Sequence, residues 1–399
     1  MRILLISDVY FPRVNGVSTS IRTFVREMQA LGHHIQLIAP DYGVATEDEH
    51  WIIRIPARSI YFDPEDRLMK QNAALEKLIE LRRHDFDLIH VHTPFAAHYL
   101  GLKLSRLLSI PCIETYHTFF EDYLHHYLPF IPKSMARWMA RTISRRQCNA
   151  VHGIIAPSQP MLDMLRLYGV KTPGAVIPTG LLPKSFERSD STSFRVRYGI
   201  TRNRPVALFV GRVAYEKNIE FLLRMVVELR KYQPDVLLLV AGEGPAAESL
   251  HALRDTLDLR QHVKFIGYLD RNTELNACYG AADVFVFASK TETQGLVLLE
   301  AMAQGTPVVA LAELGTKSIL VEGQGAVIAE EAEAAFAGSV NSLLSNEEYR
   351  SKLGQAGRQY ALNHWSACIQ AERMLQLYQS QLGDDSIEFL ERRRAIRAA

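Results

Sequence analysis

The chain alternates short, mainly apolar runs with segments long enough for helices, and both halves show this alternation. The runs span residues 3–6, 35–39, 88–91, 112–114, 153–156 and 175–177, then 206–210, 236–241, 263–266, 284–288, 307–310 and 326–329. Continuous apolar strands that alternate with helices are typical of parallel sheets covered on both faces. The sequence therefore predicts an α/β protein with two Rossmann-like parallel-sheet domains.

The length of 399 residues suits two domains, each with its own core. A polar, Ser-rich stretch over residues 183–193 is the predicted linker. We expect domains over residues 1–185 and 186–365, followed over 366–399 by a C-terminal helix and a basic tail. Further helices are predicted over residues 18–31 and 68–83.

Two carboxylates flank the start of a predicted helix in the second half. Glu292 follows an apolar run, and Glu300 lies eight residues later on the helix, which ends at Gly305. The backbone N–H groups at the helix start belong to Gln294, Gly295 and Leu296. Such helix starts attract phosphate, and a carboxylate beside a phosphate can bind the hydroxyls of an attached sugar.

Two cations follow the first apolar run of the second half, which ends at Gly211. Arg212 and Lys217 lie in the next loop and helix start. Arg offers a planar fork to phosphate oxygens, and Lys offers a mobile point charge. Each cation alone is more often a surface charge. Both cations, however, follow a strand end in the same half of the chain as the two carboxylates, and the combination is more specific. Together they could neutralise a diphosphate leaving group without a metal ion.

These motifs resemble the retaining, nucleotide-sugar-dependent glycosyltransferases of family 4, which have the GT-B fold. The resemblance covers nearly the whole chain and implies two domains facing a cleft, with the donor held mainly by the second. It also implies a C-terminal helix that crosses back to the first domain. It casts Arg212 and Lys217 as diphosphate ligands. Glu292 would contact the donor sugar, Glu300 the ribose, and the backbone near Gly267 and Tyr268 the base.

The first half contributes two more candidate elements. Asn15-Gly16 is expected to form a turn with positive φ that approaches the donor phosphate, with a plain strand-to-helix turn as the alternative. His117 follows a strand, where open α/β sheets bind ligands. The family match at Tyr116-His117-Thr118 implies that His117 contacts the primary hydroxyl of the donor sugar and supports the transition state. Glu121 and Asp122 either contact a substrate or belong to a solvated loop.

A basic helix is predicted over residues 133–146. Arg137, Arg141 and Arg145 recur every four residues, and Trp138 stands among apolar side chains. Such helices lie on anionic membrane surfaces, while a packed helix with a solvated basic edge is the alternative. The preceding segment, from Tyr116 onward, resembles that of glycosyltransferases acting on diacylglycerol. We therefore expect a cytoplasmic protein, peripheral on the inner face of the cell membrane.

Composition excludes several other classes. A net charge of +1 argues against bulk nucleic-acid binding. The four cysteines form no CxxC pair, which suits a reducing cytoplasm and predicts no zinc site. The histidine pairs His90/His92 and His125/His126 lack a carboxylate to complete a metal site. No apolar run approaches the roughly 20 residues of a membrane span, and the N-terminal run predicts a buried strand instead of a signal peptide.

The predicted reaction transfers a hexose from a nucleoside diphosphate sugar to a hydroxyl, with no metal or other cofactor. The resemblance implies retention at the anomeric carbon, and favours UDP-glucose as donor and a lipid such as diacylglycerol as acceptor. GDP-mannose with a lipid or soluble glycan is the alternative. From other classes, a non-catalytic sugar-nucleotide or lipid-binding protein and a Rossmann dehydrogenase compete, although the chain lacks the GxGxxG motif of the latter.

Overall fold

The computed structural model describes residues 1–43, 49–60, 63–70, 72–74, 76–77, 86–117, 132–271 and 273–382. The chain divides into two compact units. The first comprises Met1–Gly180 together with the segment that begins at Ala367, and the second comprises Leu181–Ser366.

The first unit is built on a seven-stranded parallel sheet. The strands of this sheet are β1 (Arg2–Ile6), β2 (His34–Pro40), β3 (Ile52–Ile55), β6 (Leu88–Val91), β7 (Cys112–Thr115), β8 (Gly153–Ala156) and β9 (Gly174–Val176). Between β3 and β6 in the sequence, β4 (Ala57–Ile60) and β5 (Asp63–Met69) form a separate antiparallel pair. The spatial order in the sheet is β3-β2-β1-β6-β7-β8-β9. The helices bounded within the described residues that accompany these strands are α1 (Gly16–Ala30), α2 (Ala96–Leu108), α3 (Lys133–Cys148) and α4 (Gln159–Leu167).

The second unit contains a six-stranded parallel sheet. Its strands are β10 (Val206–Val210), β11 (Leu237–Ala241), β12 (Val263–Gly267), β13 (Val284–Phe287), β14 (Val308–Ala310) and β15 (Ala326–Ile328), in the spatial order β12-β11-β10-β13-β14-β15. Its helices are α5 (Ser191–Arg197), α6 (Ile219–Leu229), α7 (Ala247–Thr256), α8 (Leu275–Ala281), α9 (Leu296–Gln304), α10 (Glu333–Ser345) and α11 (Glu347–Trp365).

The strand order of each sheet reverses next to the first strand of its unit. The reversal lies between β1 and β6 in the first sheet and between β10 and β13 in the second. In open α/β sheets, ligands bind outside the carboxyl ends of the strands at this point. The fold therefore marks one candidate binding edge in each unit.

A last helix, α12 (Ala367–Leu382), belongs to the first unit. Ala371, Met374 and Tyr378 are buried in the core of that unit. The Tyr378 hydroxyl also shares a 2.6 Å hydrogen bond with Nδ1 of His90 in β6. The helix thus completes the core of a unit whose other residues end at Gly180.

Each of the twelve apolar runs overlaps a strand of the two parallel sheets, but one predicted helix starts later than expected and the predicted linker is wrong. The helix expected over residues 68–83 cannot begin at Leu68, because β5 extends to Met69 and pairs with β4. Residues 72–74 and 76–77 are helical, and residues 78–85 lie outside the described residues. The expected linker over 183–193 is folded within the second unit. Its Asp190 side chain accepts a hydrogen bond from the Ser193 backbone and so caps α5.

Candidate active site

The loops after β10 and β13 lie together at the point of reversal in the second sheet. Two hydrogen bonds join them, from Asn218 Nδ2 to the carbonyl of Ala288 (3.3 Å) and from Ser289 Oγ to the carbonyl of Glu216 (3.1 Å). Neighbouring parallel strands end at the same edge of a sheet, so the two motifs that are about eighty residues apart in sequence become adjacent here.

Lys217 and Glu292 form the central ion pair of this edge. Lys217 Nζ donates to Glu292 Oε2 over 2.7 Å, and both side chains are about one-fifth exposed. Burial by itself raises the pKa of Glu292, but Lys217 and the backbone N–H groups of Gln294 and Gly295 outweigh it and hold the pKa below its ordinary value. Glu292 is therefore ionised at neutral pH. Two of the three N–H groups predicted to receive phosphate thus hydrogen-bond this carboxylate.

Gly295 sets the geometry between the two carboxylates. It precedes α9 with a left-handed backbone (φ 97°), which Gly adopts at little cost. Gly315 packs against the same loop, since a Cβ there would lie 2.0 Å from the carbonyl oxygen of Thr293. The Gly315 N–H donates to the carbonyl of Glu292 over 2.9 Å. The shape of this loop therefore depends on a glycine that no local motif marked.

Glu300 is buried and held by one partner on each oxygen. Arg271 donates to Oε1 over 2.6 Å, and the Tyr279 hydroxyl donates to Oε2 over 2.8 Å. Arg271 lies in the loop after β12, and Tyr279 lies on α8. The carboxylate raises the pKa of the Arg271 guanidinium. Neither partner could be found from sequence, because the three residues meet only through tertiary packing.

The carboxyl ends of β10, β11 and β12 carry the remaining donor-site candidates. Gly242 N–H donates to the carbonyl of Gly267 over 2.7 Å. A Cβ on Gly242 would lie 1.9 Å from the carbonyl oxygen of Gly211, so the two loops pass in close contact. Arg212 is exposed after β10, and Tyr268 is exposed after β12.

Asn15 caps α1 and does not form the expected turn with positive φ. Its φ is −152°, and its Oδ1 accepts the Ser18 N–H over 2.9 Å. An N-cap residue needs this extended backbone so that its side chain can reach the first turn, which excludes the left-handed conformation. Gly16 is the first residue of α1, and a Cβ there would meet no atom within 4 Å. The structure therefore has the alternative, a plain strand-to-helix turn.

His117 follows β7 and joins a cluster with His90 and His92, which are both buried. His92 Nδ1 lies 3.1 Å from His117 Nε2, and the rings of His90 and His92 lie 4.0 Å apart. Burial lowers the pKa of His90 to about 3 and that of His117 to about 4, and it holds the pKa of His92 well below its ordinary value. All three are therefore neutral at neutral pH. Thr118, Glu121, Asp122, His125 and His126 lie outside the described residues.

Helix α3 exposes its large apolar side chains and buries its small ones. Ala136, Ala140 and Ser144 face the core, and the Ser144 hydroxyl shares a 2.8 Å hydrogen bond with that of Tyr116. Trp138 is 65% exposed. The exposed basic–apolar surface comprises Met135, Arg137, Trp138, Arg141, Ile143 and Arg145, with Leu167 of the neighbouring α4. A solvated basic edge would expose the arginines alone, whereas this surface also exposes an indole and aliphatic side chains.

Comparison with known proteins identifies the family. Residues 14–183 match the model described as "Glycosyltransferase Family 4", and residues 190–360 match "Glycosyl transferases group 1". The "Alpha-monoglucosyldiacylglycerol synthase" of Streptococcus pneumoniae is 37% identical over 318 residues, which are 78% of this chain and 71% of that protein. This chain belongs to glycosyltransferase family 4. The protein of the same name from Acholeplasma laidlawii is 32% identical over 324 residues, 77% of this chain and 80% of that protein.

Solved structures agree with the fold of this glycosyltransferase. A sucrose-phosphate synthase from Thermosynechococcus elongatus superimposes with a TM-score of 0.79 and 23% identity, over 95% of this chain and 98% of that one. The predicted fold class, GT-B with two Rossmann-like parallel-sheet domains, is therefore confirmed.

The structure unites some of the predicted donor-binding residues of this glycosyltransferase. Lys217, Glu292, Gln294 and Gly295 make direct contacts, and Glu300 lies one helical turn beyond Leu296 on α9. Their roles in donor binding stay predictions. Among the described residues, no group of three His, Cys, Asp or Glu side chains could hold a metal ion. No helix in the same residues combines the length and apolar character required to cross a membrane.

Glu300 provides a stability test for this family-4 enzyme. Tyr279→Phe should lower the free energy of unfolding by about 1–3 kcal/mol, because a buried carboxylate oxygen loses its hydroxyl donor. Urea-induced unfolding measures the change, with Tyr232→Phe as the control, since Tyr232 is exposed. Equal unfolding midpoints for the two variants would mean that the Tyr279–Glu300 hydrogen bond does not stabilise the fold.

Proposed function

We propose that this glycosyltransferase transfers glucose from UDP-glucose to diacylglycerol, with retention at the anomeric carbon. The observation that carries the proposal is the Lys217–Glu292 ion pair at the start of α9, where a diphosphate and its attached sugar can be bound side by side. The acceptor and the sugar are supported by the two relatives named as alpha-monoglucosyldiacylglycerol synthases.

In the proposed reaction, the leaving diphosphate is stabilised by fixed charges. Arg212, Lys217 and the positive end of the α9 helix dipole stabilise the oxygens on which charge develops. The bond from the anomeric carbon to the diphosphate oxygen breaks as the bond to the acceptor oxygen forms. The acceptor hydroxyl passes its proton to the departing diphosphate. Most of the rate enhancement is then positioning and electrostatic stabilisation.

Retention follows if the acceptor attacks from the face that the diphosphate leaves. Glu292 is held by Lys217 and two backbone N–H groups, which suits an acceptor of hydrogen bonds from the sugar hydroxyls. A carboxylate fixed in that way is poorly suited to attack the anomeric carbon. We therefore favour a same-face displacement through an oxocarbenium-like transition state over the double displacement of retaining glycosidases.

The acceptor would be reached at a membrane. The basic–apolar surface places three exposed arginines around Trp138, and such surfaces attract anionic headgroups while the aromatic ring enters the interface. Contact between Arg141 and the ring of Tyr168, at 5.6 Å, joins α3 to the residue that follows α4. A peripheral position on the cytoplasmic leaflet would bring diacylglycerol to the enzyme.

A matrix of substrates tests the function. UDP- and GDP-sugars are mixed with diacylglycerol, phosphatidylinositol or soluble sugars, and products are identified by mass spectrometry and their anomeric configuration by NMR. We expect α-glucosyldiacylglycerol from UDP-glucose. If product forms only from GDP-mannose, the proposed donor is wrong. If product forms only with soluble acceptors, the proposed acceptor is wrong. The absence of both product and free nucleotide in every combination would indicate a non-catalytic binding protein.

Metal independence is a further expectation of this mechanism. Two cations and a helix start supply the positive charge that Mg²⁺ provides in other transferases. Turnover should therefore be unchanged in excess EDTA, measured as release of UDP. Loss of turnover in EDTA, with recovery on addition of Mg²⁺ or Mn²⁺, would contradict the proposal.

A further inference from the structure

An ordered chain of contacts joins His90, His92 and His117 in the first unit. Neighbouring strands β6 and β7 run parallel, and residues two apart in a strand lie on one face of the sheet. His90 lies in β6 and Thr115 ends β7, while His92 comes one residue after β6 and His117 two residues after β7. His90 is fixed at both ring nitrogens, by Tyr378 at Nδ1 and by Thr115 at Nε2, each over 2.6 Å.

His92 has one hydrogen-bonded ring nitrogen and one without a partner. Its Nδ1 lies 3.1 Å from His117 Nε2. Its Nε2 is buried and has no hydrogen-bond partner among the described residues. Burial keeps His92 and His117 neutral, so each ring carries one proton. In the bond between them, one nitrogen donates and the other accepts.

The buried Nε2 of His92 decides the direction of this bond. If Nδ1 accepted, the single proton of His92 would lie on Nε2 as a buried N–H with no acceptor. Buried N–H groups without an acceptor are rarer than buried acceptors that are incompletely satisfied. The proton therefore lies on Nδ1, which donates to His117 Nε2. His117 must then carry its own proton on Nδ1.

We propose that His92 is a positioning residue that fixes the tautomer of His117, so that Nδ1 of His117 is the hydrogen-bond donor. This inference rests on the proposed function, because it assigns the donating nitrogen to a residue expected to contact the sugar. Such an N–H is suited to donate to a hydroxyl oxygen of a substrate bound at the carboxyl edge of the first sheet. His90 supports the arrangement by packing its ring against His92, and Tyr378 and Thr115 hold His90.

An isosteric pair of variants tests the direction of the bond. The side chain of His92→Asn retains an N–H donor, whereas that of His92→Asp, when ionised, can only accept. The Asn variant should keep kcat within about threefold of the parent enzyme, and the Asp variant should lose about tenfold or more, with the donor KM unchanged in both. His34→Asn, at an exposed position, is the control. Equal kcat values for the Asn and Asp variants would overturn the proposal.

The tautomer can also be measured directly in the substrate-free protein. In ¹⁵N-histidine-labelled protein, the signals lost in His117→Gln are those of His117, and their shifts and proton couplings identify the nitrogen that carries the proton. We expect the proton on Nδ1 of His117, and a proton on Nε2 would overturn the proposal. This measurement needs no turnover, so it remains decisive even if no sugar transfer to diacylglycerol is found.

Discussion

Replacing Arg212 or Lys217 by Ala should lower turnover by roughly 10²–10³-fold, because each change removes one fixed charge from the leaving diphosphate. Arg212 is exposed, and Lys217 contributes one ion pair to the loop edge. Both variants should therefore stay folded. The quantity to measure is kcat for release of UDP with diacylglycerol as acceptor, together with the midpoint of thermal unfolding.

Matched controls are available on the same unit. Arg224 and Lys231 are exposed and form ion pairs with Glu220 and Glu228. Arg224→Ala and Lys231→Ala remove the same charges at positions away from the carboxyl ends of the strands, and their kcat should equal that of the parent enzyme. Near-parental turnover in both Arg212→Ala and Lys217→Ala would refute the assignment of this edge to the diphosphate.

Changing Arg137, Arg141 and Arg145 together to Gln should weaken binding to anionic liposomes by about two powers of ten. Each basic side chain near such a surface is worth about 1 kcal/mol, and about 1.4 kcal/mol corresponds to tenfold in affinity. The remaining binding should depend less on salt, because screening acts on the charges that were removed. Co-sedimentation with liposomes across a range of salt concentrations measures both effects.

A charge-matched triple variant separates local contact from net charge. Arg188, Arg202 and Arg224 are exposed on the second unit, and their joint change to Gln should leave liposome binding nearly unaltered. Hydrolysis of the donor in solution should be unaffected by the α3 variant, since Lys217 and Glu292 belong to the second unit. If both triple variants bind liposomes equally well at low salt, docking through α3 is wrong, and a soluble acceptor becomes the better proposal.

The two sheets could be predicted from sequence because their strands carry a strong local signal. Each residue of β6, β7, β8 and β10 is buried. The strands β8 and β10 are unbroken apolar runs, and β6 and β7 are apolar apart from His90, Glu114 and Thr115. The segment that forms β5 has no such pattern. It contains two aspartates, a proline and a glutamate, and pairing with β4 determines its conformation.

The site was predicted as far as charge and spacing allow. Glu292 and Glu300 could be found because they flank the start of a helix that follows an apolar run. Lys217 could be found because it follows another strand. The residues that hold them could not be found in the same way. Arg271 and Tyr279 reach Glu300 only after α8 and the loop after β12 pack against α9, and His92 becomes informative only when its neighbours are known.

Helix α12 has a consequence for the order in which the chain can fold. The second unit is one continuous segment, Leu181–Ser366, whereas the first lacks part of its core until Ala367–Leu382 has been made. Domains emerge from the ribosome in sequence order and generally fold as units. Here the unit that is translated first can be completed only after the other has been synthesised in full. Until then, the position that Tyr378 occupies beside His90 is unfilled, and the nascent first unit exposes apolar surface that α12 later covers.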